Sequence, residues 1–357
     1  MRRPQKIAVD VAIVGAGPAG LLAAQAAARA GAWTLIIEAK AQVGWPNHCA
    51  EWLPGLVLGQ GQVPAEAPRA RVGELECRAG QTRAVARVAG VVVDRPTWQK
   101  ALAEEALWWG GSLTCRARAL GLDEDGRLLV AGPAGRFAVR AGAVIVADGA
   151  LSPLARALGL GRQAGAPAIN LEVEAGPRPC RPAVEFWPEL FGYGWSFPKG
   201  ATVNIGLGGV TLGRRRLPAL LAAWRESLLA QGLIGPGVVR RGGGWLGHDG
   251  PRAAFVRGPG QTPLLLCGDA AGLGHPCTGA GLPQAVDSGL LAGAAAADLA
   301  RGVAGAGPAY QAELTARFGQ YLGRGLAARQ GAWALWRADW PAAARRYWPL
   351  WPAEAGR

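Results

Sequence analysis

The sequence contains no run of about 18 residues that is apolar throughout and uncharged, as a membrane-spanning helix needs, so no spanning segment is expected. Its six cysteines (Cys49, Cys77, Cys115, Cys180, Cys267 and Cys277) are scattered, with no CxxC spacing. That argues against a disulfide framework or a thiolate zinc site and reads as reduced thiols in a cytoplasmic protein. Histidine is scarce: three residues, none paired at metal-ligand spacing, so no metal is expected. Acidic residues are also in deficit, 25 against 38 lysines and arginines, for a net charge of +13. Such a balance is compatible with nucleic acid, an anionic membrane surface, or acidic small molecules and proteins. No nucleic-acid-binding motif accompanies it, and most of the excess is dispersed arginine. Nucleic acid is therefore not an expected partner, and a solvated surface of biased composition accounts for much of the charge.

What is present begins at Val11–Gly20, VAIVGAGPAG. The run Ile7–Val14 is β-branched and apolar, as a buried parallel strand requires. Gly15 permits a tight turn, Gly17 lets the backbone approach a pyrophosphate, and Gly20 allows close packing of helix on strand. An alanine-rich helix follows from Leu21 to Ala30, and its first turn presents free N–H groups to an anion. A second strand, Thr34–Ile37, delivers Glu38, whose carboxylate can accept from an adenosine ribose. The whole unit reads as a dinucleotide site. It also explains the superficial likeness of the N-terminus to a signal peptide, so export is not expected. No second GxGxxG sits in a βαβ context, so a dedicated nicotinamide domain is not expected, and an electron donor, NAD(P)H or an acidic protein such as ferredoxin, would bind transiently.

The chain is 50% hydrophobic over 357 residues, enough for one large core or two joined domains. Residues 42–68 read as a functional loop, irregular and punctuated by Pro and Gly. Residues 69–90 read as a hairpin around Gly80, Ser112–Ala119 as a strand, and 120–140 as two short strands. A helix capped near Asp94 runs to Gly110. The strand Ala143–Val146 delivers Asp148 and Gly149 at its C-terminal end, where open α/β sheets bind ligands. From Pro167 to Gly209 the pattern is extended without helices. Helices are expected over Arg214–Gly232, Gly281–Arg301 and Gln311–Arg329, and a buried strand at Pro263–Cys267.

The expected class is α/β with an α+β second domain: a Rossmann-like nucleotide domain into which a largely antiparallel substrate domain is inserted, followed by C-terminal helices. The expected divisions are 1–165 (with a small β insertion near 69–90), 166–258 for the substrate domain, 259–305 for the return to the nucleotide domain, and 306–357 for a helical tail.

Four motifs stand in order: GAGPAG with Glu38, DRPTWQKALAEEA, VADGALS and CGDAAGLGHPCTGAG. Their order resembles the FAD-containing oxidoreductases of the para-hydroxybenzoate hydroxylase type. The resemblance implies FAD contacts at Gly15, Gly17, Pro18, Ala19, Gly20, Glu38 and Ala39. It further implies contacts at Cys49, Arg95 and Ala119, at the pair Asp148 and Gly149, and at Asp269, Gly279, Gly281 and Leu282. Asp269 can bind ribityl hydroxyls. Gly279 and Gly281 clear space for a flat ring, and the helix beginning near Gly281 can stabilise negative charge on reduced flavin.

A further element, YGWSFPKG followed by NIGLGG, resembles the YxWxFPK…GxG element of geranylgeranyl reductases. It implies an isoprenoid cavity walled by Tyr193, Trp195, Phe197 and Pro198. Strand spacing puts Tyr193, Trp195 and Phe197 on one face, which equally suits a core-facing strand. The family's CxxG-type loop is matched in part by Cys49-Ala50-Glu51-Trp52, with Trp52 at the position of the last glycine. Cys49 reads either as a small buried hydrophobe or as a group against flavin or substrate. Cys49, His48 and His275 are the candidates for proton transfer.

The resemblance implies FAD-dependent reduction of carbon–carbon double bonds in a polyprenyl group. Related enzymes of this fold hydroxylate or halogenate aromatic substrates, so a flavin monooxygenase is the competing implication. Finally, Trp333, Trp336, Trp340, Trp348 and Trp351 accompany Arg337, Arg345 and Arg346 near the C-terminus. Indole and guanidinium at helical spacing suit peripheral contact with the inner face of a membrane, and equally a helix packed on the protein.

Overall fold

A computed structural model describes residues 6–58, 63–213 and 215–352. The first unit is β1 (Lys6–Val14), α1 (Pro18–Arg29) and β2 (Thr34–Ile37). The loop beyond contains β3 (Trp52–Pro54) and one helical turn, α2 (Gly55–Leu58). Next come the hairpin β4 (Pro68–Ala79) and β5 (Thr82–Val93), then α3 (Arg95–Trp108). Short strands β6 (Ser112–Thr114), β7 (Arg118–Leu122) and β8 (Leu128–Gly132) lead to the long β9 (Gly135–Val146) and to α4 (Pro153–Ala157). Four extended segments follow: β10 (Gly165–Ala175), β11 (Ala183–Trp187), β12 (Leu190–Lys199) and β13 (Thr202–Gly209). Helix α5 (Leu217–Ala230) and β14 (Ile234–Gly247) precede β15 (Phe255–Arg257) and β16 (Pro263–Leu266). The chain then forms α6 (Leu282–Ala300) and α7 (Ala306–Tyr347).

Two eight-stranded sheets result. The first has the order β15-β16-β9-β1-β2-β6, with β7 and β8 added beside β9. Its centre is parallel, with Ile13 opposite Ile36 on one side and Ile145 on the other. Val11, Ala12 and Ile13 are fully buried, as strands covered on both faces must be. Helix α1 lies against α6 at close range: Gly289 and Gly293 face the backbone oxygens of Ala19 and Ala23, where any Cβ would collide. The second sheet has the order β14-β10-β13-β12-β11-β4-β5-β3 and is antiparallel except where β11 pairs with β4.

The α/β class with an inserted antiparallel sheet is therefore present, but several local expectations are corrected. The hairpin near 69–90 is not a small insertion on the nucleotide domain. It supplies two strands of the second sheet, because Val184 of β11 pairs beside Cys77 of β4 and both bury their side chains in one core. The 42–68 loop is not wholly irregular, since β3 closes that sheet's edge on β5. Ser112–Ala119 is two strands rather than one. The chain turns at Arg116, whose φ is 54°, so that β6 joins β2 while β7 joins β8. Strand β14 was not anticipated, since its Gly242-Gly243-Gly244 run carries no strand pattern. The glycines are needed because a Cβ on Gly242 would strike the Asn47 carbonyl, and one on Gly244 the His48 ring.

Helix α7 extends well past the helix expected over 311–329 and fills most of the 306–357 expected as a helical tail. It kinks at Asp339 and Pro341, where the proline breaks the helical ladder and the Asp339 carboxylate accepts from Ala342 N at 2.9 Å to cap the continuation. On both sides of the kink the end of the chain packs on the second sheet. Trp336 and Trp348 are buried among Phe186, Phe191 and Tyr193, and Trp336 Nε1 donates to the Pro188 carbonyl at 3.0 Å. Of the tail tryptophans, Trp333 is the one that stays largely exposed, at 46%.

Candidate active site

Between the C-terminal ends of β1, β2 and β9 and the inner face of the second sheet lies a cavity of about 820 Å³. The glycine turn forms one end. Gly15 has φ 102° and lies so close to Ala147 that no Cβ fits. Gly17 faces open space, as a backbone built to meet a ligand should. Gly20 does not line the cavity; it lets α1 sit directly on the Gly15 carbonyl. Glu38 accepts from Ala16 N at 2.7 Å and from Lys40 N at 2.8 Å, and Gln99 Nε2 donates to the Ala16 carbonyl at 2.9 Å. The turn is thus held from both sides, with Ala39, Lys40 and Ala119 beside it on the cavity wall.

Arg95, Asp148, Gly149, Asp269, Gly279, Gly281 and Leu282 all line the same cavity. The Asp148 carboxylate is occupied in capping α4, accepting from Ser152 Oγ at 2.5 Å and Leu154 N at 2.9 Å. Burial raises its pKa against those hydrogen bonds. Asp269 is likewise raised by burial, and the Arg95 charge across the cavity opposes the shift. Gly281 precedes α6, and a Cβ there would press on the Asp269 carboxylate.

The loop carrying His48 and Cys49 is fixed by a buried charge cluster. Glu51 is fully buried at φ 65°, an unfavourable conformation for a non-glycine residue. It is held there by its own carboxylate, which accepts from Arg95 N at 3.0 Å, Lys199 Nζ at 2.8 Å and Asn204 Nδ2 at 2.9 Å. Lys199 Nζ also lies 3.1 Å from Asp94 and 3.3 Å from Glu172, and Arg240 bridges those two acids at 3.2 Å each. Burial alone would lower the Lys199 pKa; the three carboxylates outweigh it and hold it above the ordinary lysine value. Burial would similarly raise Asp94, but the Thr97 N–H and Lys199 hold it well below the usual carboxylate range. Sequence reading passed over Lys199 and Glu51. The available signal was a lysine two residues after Phe197, and so on the same strand face.

Tyr193, Trp195 and Phe197 do line the cavity. Tyr193 OH donates to the Thr278 carbonyl at 2.6 Å, and Trp195 Nε1 to Asn204 Oδ1 at 3.0 Å. Pro198 is not on that wall, because the pleat turns it to the other face. His275 is also off the cavity. It is buried, and its Nδ1 accepts from the backbone N–H groups of Cys277 and Thr278 at 3.3 and 3.2 Å, which makes it a loop former. His48 and Cys49 face the cavity, and Cys49 Sγ accepts from Glu51 N at 3.2 Å. Burial, then the charges of Arg95 and Lys40, lower the His48 pKa to about 4. The far end of the cavity is apolar, walled by Leu75, Val184, Trp348 and Leu350. These residues come from the hairpin and tail and were not anticipated as site residues.

Residues 8–43 match the family described as FAD binding domain. Digeranylgeranylglycerophospholipid reductase of Methanocaldococcus jannaschii is 32% identical over 306 residues, covering 80% of this chain and 75% of that protein. Digeranylgeranylglycerophospholipid reductase 1 of Methanopyrus kandleri is 36% identical over 314 residues, covering 81% and 80%. Among solved structures, a geranylgeranyl bacteriochlorophyll reductase-like protein of Thermoplasma acidophilum superposes with a TM-score of 0.82 over 97% of this chain and 98% of its own, at 23% identity, which speaks to the fold alone.

The residues present fit a flavin dinucleotide. Gly17 leaves its cradle open, and two buried polar atoms beside the cavity, Arg95 Nε and Gln284 Oε1, have no partner within the protein. A bound cofactor can supply partners for such groups.

Lys199→Met should destabilise the protein by roughly 3–5 kcal/mol at neutral pH, because it strips the shared cation from buried carboxylates. Because the Lys199 pKa is raised in the fold by ionised carboxylates, the wild-type contribution should be fully present at neutral pH and fade only above the ordinary lysine value as pH rises. Urea titrations of both proteins across pH test this, and equal midpoints at neutral pH would refute it. In flavin-free protein, the His48 ring should titrate near 4 by NMR; a midpoint at the ordinary histidine value would contradict the burial argument.

Proposed function

The chain belongs to the geranylgeranyl reductase family of FAD-dependent oxidoreductases, and from that premise we propose that it saturates carbon–carbon double bonds in a polyprenyl chain carried by a lipid, quinone or pigment precursor. The observation that carries this reading is the continuity of the cavity. One chamber joins the glycine turn to an apolar end walled by Trp195, Phe197, Leu75 and Val184. An alkene offers little charge to grip, so orientation and exclusion of water do most of the work.

When bound, FAD in its reduced form would supply the hydride. The chain's residues hold the cofactor and present the double bond to it: Arg95, Glu38 and Asp269 would bind the cofactor, and Tyr193, Trp195 and Phe197 would seat the substrate. A proton must reach the other alkene carbon. Cys49 is the favoured donor or relay, because His275 is off the cavity and His48 is neutral at physiological pH. The electron donor, NAD(P)H or an acidic ferredoxin-type protein, would bind transiently to the basic surface.

With the holoenzyme reduced by dithionite and given geranylgeranyl-glycerolipid, product mass should rise by two hydrogens per double bond. Addition of one oxygen atom under air, with no saturation, would establish the monooxygenase reading instead.

Contact with an anionic membrane surface is the proposed location of this activity. No helix among the described residues is long and apolar enough to cross a membrane. With the tail packed inward, the support moves to the ends of α1 and α3, where Trp33, Leu107, Trp108 and Trp109 are 56%, 42%, 84% and 47% exposed on a chain of net charge +13. Full-length protein should co-sediment with phosphatidylglycerol vesicles, and Trp108→Ser with Trp109→Ser should lower the bound fraction severalfold. Equal recovery in the supernatant for both would remove the idea.

A further inference from the structure

A second, smaller cavity of about 70 Å³ adjoins the main one at the end of α7, walled by Phe186, Phe191, Trp336 and Ala343, with Arg329 and His248 at its edge. Five residues line both: Tyr193, Leu246, Thr278, Gly279 and Trp348. Four of them are fixed by other duties. Tyr193 is anchored through its hydroxyl to Thr278, and Gly279 is so close to Leu246 that no Cβ would fit without displacing it. Trp348 differs. Its backbone N–H bonds the Ala344 carbonyl at 3.0 Å, but its indole Nε1 is buried without a partner, so the ring is held by packing alone. It is 6% exposed and stands edge-on to Tyr193 and Phe186, with ring centroids 4.4 and 5.3 Å away.

We propose that the Trp348 indole is the partition that sets the length of the apolar chain the enzyme accepts, and that removing it opens the main chamber into the smaller one. The proposal rests on the polyprenyl reductase reading. Pockets of roughly 300–1,000 Å³ ordinarily house a single ligand. Here one chamber of about 820 Å³ must serve both cofactor and substrate, so the distal wall bears directly on chain length. That wall is Leu75, Val184, Leu350 and Trp348. Trp348 alone among them has further apolar space directly behind it. Its displacement breaks no hydrogen bond of its side chain. A misfit of one isoprene unit against a rigid apolar wall is strongly discriminated, since a single methylene in such a pocket is already worth about ten- to two-hundredfold.

The test uses purified, flavin-loaded wild type, Trp348→Ala and Trp348→Phe, with geraniol, farnesol, geranylgeraniol and geranylfarnesol as probes. Binding is followed by perturbation of the flavin absorbance, and turnover by product mass with dithionite. Wild type should show a length beyond which affinity and kcat/KM fall. In Trp348→Ala the ratio of the first excluded alcohol to the last accepted one should rise about tenfold, whereas Trp348→Phe should keep the wild-type cut-off. Should Trp348→Ala not fold, Trp348→Leu carries the same expectation.

An unchanged cut-off in binding overturns the partition, whatever turnover shows. Binding with a shifted cut-off but no saturation by any of the proteins overturns the reductase reading and leaves the partition standing. Failure of every alcohol to bind wild type overturns both.

Discussion

The architecture depends on one ammonium group. Lys199 Nζ sits within 3.3 Å of three carboxylates that come from the 49–52 loop, the cap of α3 and the second sheet. Such a cluster is costly to bury and stays favourable only when each charge keeps its partners. Because the partners lie on separate elements, the cost enforces geometry. Glu51 stays in a backbone conformation it would otherwise avoid, and the Arg95 backbone N–H is tied to it. The thiol at Cys49 and the guanidinium of Arg95 are thus placed relative to each other by a contact that neither makes directly. The YGWSFPKG strand therefore has two roles: its aromatics form a wall, and its lysine locks the opposite wall in place.

That lock explains how a largely apolar chamber can be lined by so many distant pieces of chain. Polar satisfaction is concentrated at the seams: Glu38 on the glycine turn, Gln99 on Ala16, Tyr193 on Thr278, Asn204 on Trp195. Between the seams, side chains are free to be apolar and shaped. The electrostatics follow from this arrangement. Buried acids such as Asp148 and Asp269 are pushed up and buried histidines are pushed down. Among the groups facing the chamber, Asp148, Asp269 and His48 thereby lean toward their neutral forms, as befits a site that handles a hydrocarbon.

The nucleotide unit was legible because its chemistry is local. The glycine pattern, the following helix and Glu38 each declare themselves within a few residues, and so does the Asp94 cap. Strand alternation likewise placed Tyr193, Trp195 and Phe197 on one face, and would have excluded Pro198 had it been followed one residue further. What escaped was long-range. Nothing in 68–93 states that it pairs with β11 rather than with its nearer neighbours. The glycines of β14 hide a strand that leaves room for the Asn47 carbonyl and the His48 ring. The tail's Trp and Arg spacing looks the same whether the facing surface is lipid or the protein's own sheet, since both reward an aromatic face. His275 could be named from its motif, but only the Nδ1 hydrogen bonds to backbone show that it shapes its loop.

The parallel pairing of β11 with β4 has a consequence for how the chain becomes a protein. The hairpin can form early from local contacts, yet the edge of β4 has no partner until β11 arrives from beyond the whole of β6 to β10. Loop-closure entropy must be met before that contact returns anything, so this ladder should lie late on the folding route. Until it closes, β4 offers an unpaired edge, the kind of surface on which chains find one another before they find themselves. The two sheets are therefore not exchangeable modules. A swap of any one contiguous stretch of sequence would divide a ladder whose two strands are separated along the chain by β5 to β10.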